Sequence, residues 1–138
     1  MQKIYLAAPY SSPHADIRES RVAEASRVAA RLMGQGYVVF SPITHGHAVA
    51  DHLPKACLLS HEFWMQQCLP MLEACDWLII LPLDGWRESR GLEVERRHAE
   101  ANRIPTFIWQ EVHPAVDLLD DEEVEYCNHS IFKGVSNG

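Results

Sequence analysis

The stretch CDWLIILPLDGWRESRGLEVE, residues 75–95, decides the fold that this sequence predicts. Its apolar run over residues 77–81 has no polar alternation, which is typical of a strand covered on both faces in a parallel sheet. Pro82 ends the strand, and Ser89 is placed to cap a helix over residues 92–102. The loop between them therefore lies at the carboxyl end of a parallel strand, where α/β sheets bind ligands.

Glu95 lies about one turn into that helix. The positive end of the helix dipole favours the ionised form of a carboxyl group there. An ionised carboxylate beside a ligand crevice is suited to act as a nucleophile or a general base. Acidic residues are also common in first helical turns because of the dipole alone, so the spacing by itself leaves a purely structural role open.

Apolar runs alternate with amphipathic segments through the rest of the chain. The pattern predicts strands over residues 3–8, 37–40, 77–81 and 106–109. It predicts helices over residues 15–34, about 55–74 and 92–102, the second broken near Ser60 and Pro70. The stretch over residues 41–54 is predicted to be irregular. This alternation indicates an α/β domain with a parallel sheet and right-handed crossovers.

The 138 residues predict a single α/β domain over residues 1–113, followed by an acidic tail over residues 114–138 that is part of it or partly disordered. The net charge of -7, without a basic stripe, argues against a nucleic-acid partner. The N-terminus lacks the apolar region of a signal peptide, and no apolar run approaches the length of a membrane span. We therefore expect a cytoplasmic protein with no membrane partner.

The cysteines and histidines are candidate metal ligands or redox groups. No two cysteines have C-x-x-C spacing, and Cys68 and Cys75 are expected to share one helix face as small core residues. His45 and His47 would point the same way on an extended segment, with His52 and His61 nearby, but no catalytic metal framework is present. Polar loop histidines near a ligand, His45 among them, are the favoured interpretation, and no metal is expected.

Cofactor motifs are also lacking. No G-x-G-x-x-G follows the first strand and no G-K-[ST] occurs, so neither a dinucleotide fingerprint nor a P-loop is present. No cofactor is therefore expected.

Three segments together resemble the nucleoside 2-deoxyribosyltransferase superfamily: IYLAAPY at residues 4–10, CDWLII at residues 75–80 and SRGLEVE at residues 89–95. The last fits the superfamily pattern S-x-G-x-x-x-E. The most similar branch contains small transferase-like proteins with a G-W-x-x-S-x-G loop, here residues 85–91, and the superfamily includes deoxyribonucleoside 5'-monophosphate N-glycosidases. The resemblance covers about residues 3–109 and implies a flavodoxin-like (Rossmann-like) sheet of four to five strands with helices on both faces.

The resemblance also implies roles for individual residues. Glu95 matches the family nucleophile, which attacks the sugar C1' and forms a glycosyl-enzyme. Tyr5 matches the tyrosine that places the nucleophile and sugar, and Ser89, two residues before Gly91, matches a 5'-phosphate contact. Water would then give hydrolysis, and a second base would give transfer. Family members are oligomers, so the resemblance implies a homodimer or larger assembly.

Two departures from the family pattern matter. Cys68 stands where the family has an aspartate that donates a proton or contacts the sugar, so the leaving base would take its proton from Asp84, His61 or solvent. Ser11 stands where the monophosphate hydrolases carry a phosphate-binding arginine. That charge would come from one of three other arginines: Arg18, Arg87 or Arg90.

Two aromatic residues are candidate ligand contacts with equally open structural roles. Trp86 is suited to stack on a nucleobase or to cover the edge of the core. Tyr10 would line the mouth of the pocket or lie on the surface.

The sequence therefore predicts an N-glycosidase or deoxyribosyltransferase-like enzyme whose substrate is a small-molecule nucleoside or nucleoside 5'-monophosphate. Cys68 favours the first alternative, a non-catalytic nucleotide-binding module on the same fold. A metal-dependent hydrolase built on the histidines is the second alternative.

Overall fold

A parallel four-stranded sheet forms the centre of the computed structural model, which describes residues 1–110. The strands are β1 (Lys3–Ala7), β2 (Val38–Phe40), β3 (Trp77–Ile80) and β4 (Thr106–Ile108). Their order is β2-β1-β3-β4, and every neighbouring pair is parallel. All four strands were predicted, and the α/β flavodoxin-like fold class is confirmed. The predicted tail over residues 114–138 lies outside the described residues.

Helices cover both faces of the sheet. They are α1 (Ala15–Gly34), α2 (Pro42–Ala50), α3 (Lys55–Leu58), α4 (His61–Glu73) and α5 (Arg90–Ala101), with a 3₁₀ turn at Trp86–Glu88. No helix among the described residues is long and apolar enough to cross a membrane.

Strand β1 shows how the two faces are divided. Ile4 and Leu6 belong to one buried cluster, which includes Leu32 of α1. Tyr5 and Ala7 point to the opposite face, where the buried cluster includes Leu92 of α5. Because successive side chains of a strand point to opposite faces, this register sends Tyr5 towards α4 and α5.

The prediction of an irregular stretch over residues 41–54 is wrong for its first part, which forms α2. Pro42 begins the helix, where its fixed φ and missing N–H are well tolerated. Gly46 lies inside α2, and a Cβ on it would stand 3.2 Å from the Trp64 ring of α4. Glycine therefore lets the two helices approach closely, a tertiary contact that compensates for its poor helix propensity.

The segment over residues 55–74 divides at Ser60, as predicted. Ser60 Oγ accepts a hydrogen bond from the Phe63 N–H and caps α4. Pro70 lies within α4 without ending it. The helix ends at Glu73, so Cys75 precedes β3 and does not share a helix face with Cys68, which corrects that expectation.

The strand order creates a crevice at the carboxyl ends of β1 and β3. From β1 the chain passes through α1 to β2 on one side, and the later strands β3 and β4 add on the other side. Connections that leave two neighbouring strands in opposite directions open a space between them, and ligands of doubly wound sheets bind at this switch point.

Candidate functional site

A hydrogen bond between the Tyr5 hydroxyl and Glu95 lies at the centre of the candidate site. Tyr5 is fully buried on β1, and Glu95, in the second turn of α5, is 4% exposed. The hydroxyl donates to Glu95 Oε2 across a sequence separation of 90 residues. A strand and a helix from distant parts of the chain thus fix one carboxyl oxygen in place.

The start of α5 explains why Glu95 faces inwards. Gly85 turns the chain with a φ of 88°, a conformation that favours glycine. Ser89 then caps α5, its Oγ accepting a hydrogen bond from the Leu92 N–H at 3.3 Å. Leu92 and Glu95 are three residues apart, so both fall on the buried face of the helix.

Burial dominates the protonation of this pair. It raises the pKa of Glu95 from an ordinary 4.5 to about 7, and the hydrogen bond from Tyr5 opposes the rise. Burial also raises the pKa of the Tyr5 hydroxyl, and the nearby Glu95 charge adds to this, so Tyr5 stays protonated and donates. The expectation that the helix start keeps Glu95 ionised is corrected, because desolvation is the larger effect.

We expect this carboxyl group to make the fold less stable as the pH rises. The folded state holds the Glu95 proton more tightly than the unfolded state, so the stability is fully present below pH 4.5 and is lost as the pH rises through about 7. The rise of the Glu95 pKa from 4.5 to about 7 corresponds to about 3 kcal/mol of folding stability that is lost above pH 7. Glu95→Gln should therefore raise the free energy of unfolding by that order at pH 8 and by much less at pH 4, measured by urea denaturation.

A cavity of about 670 Å³ opens beside Glu95. Five of the residues predicted for the site line it: Tyr10, Ser11, Ser89, Gly91 and Glu95. Tyr5 is not a lining residue and reaches the site only through its hydrogen bond to Glu95. The cavity has the size of a small-molecule site and contains contributions from α2, α4, α5 and the loop after β1.

Besides Tyr5, three of the predicted site residues do not line this cavity. His45 is exposed and its ring packs against Phe40, with 6.0 Å between centroids. Trp86 packs against the apolar cluster around Leu92, which agrees with its alternative role at the core edge. The Asp84 side chain is exposed, and its contribution is a backbone carbonyl.

That carbonyl accepts one of three hydrogen bonds from Arg21, which together we call the Arg21 clamp and which the sequence did not indicate. Arg21 of α1 donates from Nη1 to the Tyr10 carbonyl at 3.2 Å and the Ser11 carbonyl at 3.0 Å. Its Nη2 donates to the Asp84 carbonyl at 2.7 Å. One guanidinium thus joins the loop after β1 to the loop after β3. In the sequence Arg21 is one of several arginines on an amphipathic helix, and nothing local distinguishes it.

A second missed contact joins Tyr10 and His47. The Tyr10 hydroxyl and His47 Nδ1 share a hydrogen bond of 2.7 Å, and both residues line the cavity. The sequence signal is the His45-Gly46-His47 motif, whose two histidines would point the same way only on an extended segment. In a helix, residues two apart point in different directions, so the two histidines do not converge.

The remaining histidines also stay apart. Within residues 1–110, no group of three or more histidine, cysteine, aspartate or glutamate side chains is arranged to hold a metal ion. His61 lines the cavity at the start of α4, where burial and the nearby Arg90 charge lower its pKa.

Cys68 is a neighbour of the Tyr5–Glu95 pair. It is half-buried on α4, lines the cavity, and interacts with both Tyr5 and Glu95. Burial, with the Glu95 charge adding, raises the pKa of its thiol to about 11. A thiol this weakly acidic is a poor proton donor at neutral pH.

The three arginines considered for anion binding have different surroundings. Arg18 donates to the Ser12 carbonyl, and Arg87 lies over the Trp86 ring, 4.9 Å from its centroid. Arg90, the first residue of α5, lines the cavity beside Ser89.

Comparisons with known proteins agree with this architecture. A family model described as Domain of unknown function (DUF1937) matches residues 2–111. A solved structure of a 2-deoxyribosyltransferase from the psychrotolerant bacterium Bacillus psychrosaccharolyticus is similar, with a TM-score of 0.56 and 19% sequence identity. The similarity covers 88% of this chain and 95% of that one, and it shows a shared fold. No curated protein matches the chain.

Proposed function

This chain belongs to the Domain of unknown function (DUF1937) family, and we propose that it cleaves the N-glycosidic bond of a nucleoside or nucleoside 5'-monophosphate. The observation that carries the proposal is the buried Glu95 carboxyl group, held by Tyr5 beside a cavity at the switch point of the sheet. The similar fold of a 2-deoxyribosyltransferase supports it.

The proposed first step forms a covalent glycosyl-enzyme. One oxygen of ionised Glu95 attacks the sugar C1', the electron pair of the C1'–N bond passes to the base, and the base leaves with an added proton. Water then hydrolyses the glycosyl ester, or a second base accepts the sugar. Burial assists the attack, because the ester is neutral whereas the carboxylate has lost its hydration.

Charged and polar groups at one side of the cavity are suited to an anionic substituent. Ser89, Arg90 and Gly91 line the cavity where α5 begins. A helix start combines free N–H groups with a favourable dipole, and an arginine adds charge. We assign a 5'-phosphate, when the substrate carries one, to this region.

Assembly and location are part of the same proposal. We place the enzyme in the cytoplasm as a homodimer or larger oligomer, with no nucleic-acid partner. Leu58 and Leu59 both line the cavity and are both exposed, and adjacent exposed apolar side chains are suited to a subunit contact beside the site.

Base release tests the proposal directly. The protein is incubated with nucleosides and nucleoside 5'-monophosphates, and free base is measured by chromatography, with and without a chelator. We expect release from at least one substrate, unchanged by the chelator, and a glycosyl adduct on the peptide that contains Glu95 by mass spectrometry. Chelator-sensitive release would favour the metal-dependent hydrolase instead.

Cys68 favours a second candidate function, a non-catalytic nucleotide-binding module. Cys68 occupies the position of the superfamily aspartate, and a thiol with a pKa of about 11 is not an effective acid there. Nucleotide binding by calorimetry, without base release from any substrate, would establish this candidate.

Replacing Tyr5 with phenylalanine should move the pH profile. The Tyr5 hydrogen bond lowers the pKa of Glu95, so its loss should raise that pKa above about 7. Because the nucleophile acts only when ionised, kcat/KM should rise through the higher pKa, and the alkaline shift should be visible between pH 5 and 9. Phe107→Leu, on the other face of the sheet, is the control and should keep the wild-type profile.

A further inference from the structure

The proposed reaction leaves one requirement open: the departing base needs a proton. The aspartate of the nucleoside 2-deoxyribosyltransferase superfamily, which the sequence resembles, is replaced here by Cys68, and the Cys68 thiol has too high a pKa to take over its role. Asp84, one of the candidates from the sequence, does not line the cavity. The donor must line the cavity, exchange protons near neutral pH and be held in a fixed orientation.

The Tyr10–His47 pair meets the geometric part of this requirement. His47 lines the cavity from α2, and its Nδ1 shares the 2.7 Å hydrogen bond with the Tyr10 hydroxyl. The two rings meet edge to face, with centroids 5.7 Å apart. Among residues 1–110, His47 Nε2 has no hydrogen-bond partner, so this nitrogen remains available to a ligand.

We infer that His47 protonates the leaving base, with Tyr10 as the residue that positions its ring. The inference rests on the proposed function and deepens it. In the step, protonated His47 gives its Nε2 proton to the base as the C1'–N bond breaks, while Glu95 forms the bond to C1'. The products are a neutral base, a neutral imidazole and the glycosyl ester. In hydrolysis, His47 recovers a proton from the water that releases the sugar.

The surroundings of the pair suit this role. When both ring nitrogens carry protons, Nδ1 donates to the Tyr10 oxygen, which fixes the orientation of the ring. Burial raises the pKa of Tyr10, so the phenol stays neutral, and Arg18 and Asp51 act on it in opposite directions. The competing His61 has a lowered pKa from burial and Arg90, so it holds a proton less readily.

Two substrates that differ in their need for a proton distinguish proton donation by His47 from any other role of this residue. An ordinary purine nucleoside releases a base that needs a proton, whereas the N7-methylated form carries a positive charge and releases a neutral base without one. His47→Gln should lower kcat for the ordinary substrate by about 10² to 10⁴-fold. The same variant should cleave the N7-methylated substrate within about threefold of wild type, after subtraction of the uncatalysed rate, because the missing proton is not needed there.

His52→Gln is the matched control. It is an exposed histidine just after α2, outside the cavity, and it should keep wild-type rates on both substrates. Tyr10→Phe keeps the ring and removes the hydroxyl. It should show the pattern of His47→Gln more weakly, and it carries the test if His47→Gln does not fold in a thermal unfolding measurement.

Three results would overturn the inference. Equal loss on both substrates would make His47 a structural or binding residue. Unchanged rates on the ordinary substrate, or the selective loss in His61→Gln instead, would assign the proton to another group. If folded wild-type protein cleaves neither substrate nor any other nucleoside, the proposed function fails and this inference with it, whereas cleavage by wild type without the selective pattern overturns the inference alone.

Discussion

Glu95→Ala should lower base release by at least about 10³-fold, because removing a covalent nucleophile removes the step itself. Ligand binding should change little, since the carboxyl group is one contact in a cavity of about 670 Å³. The measurement is kcat from chromatographic release of free base, with binding followed separately by calorimetry. Glu95→Gln should be as inactive and more stable at pH 8, so lost activity would not reflect unfolding.

Glu93→Ala is the control for this variant. Glu93 lies two residues earlier on α5 and pairs with Arg96 and Arg97 at the surface. Its removal should leave base release within about twofold of wild type, as expected for exposed ion pairs. Full activity of Glu95→Ala would contradict the assignment of the nucleophile.

The second large effect is expected in a double variant. Cys68→Asp introduces a carboxyl group near Glu95, where like charge raises the pKa of one member of the pair and keeps a proton available at neutral pH. In the His47→Gln background it should restore base release from an ordinary nucleoside by about 10² to 10⁴-fold. In wild-type protein, where His47 already donates, the gain should stay below about tenfold.

Cys68→Ser in the His47→Gln background shows whether the gain from Cys68→Asp comes from its acidic proton or from the changed side-chain shape. Serine has a similar size and no acidic proton in this range, so it should restore nothing. A gain of 10²-fold or more from Cys68→Asp in wild-type protein would mean that protonation limits the enzyme and that His47 is not its proton donor.

The sheet was predictable because each strand is marked by a local pattern of apolar residues. The apolar run over residues 77–81 needs cover on both faces, and only a parallel α/β arrangement provides this for a short strand between helices. Helix α2 was not predictable in this way. Gly46 disfavours a helix in a local interpretation, and the contact that compensates, the approach of Gly46 to Trp64, is tertiary.

The residues of the candidate site also divide into those that a local pattern indicates and those that depend on tertiary contacts. Glu95 and Ser89 occur within one motif, so spacing indicated them. Tyr5 entered through the family resemblance, since no local rule pairs residues that are 90 positions apart. The Tyr10–His47 contact depends on the helical form of α2, which the sequence did not indicate. The raised pKa of Glu95 likewise follows from burial, and burial is set by the packing of the whole domain.

The Arg21 clamp has a consequence for how this site can change over generations. A Cβ on Gly85 would stand 3.0 Å from Arg21 Nη2, so any side chain at position 85 displaces the guanidinium that joins the two loops. The φ of 88° at Gly85 favours glycine whatever residue occupies position 21, so the dependence runs one way: the Arg21 contacts require glycine at 85, whereas Gly85 does not require arginine. Related chains that keep arginine at 21 should therefore also keep glycine at 85, whereas chains that have lost the arginine should still favour glycine there because of its backbone conformation.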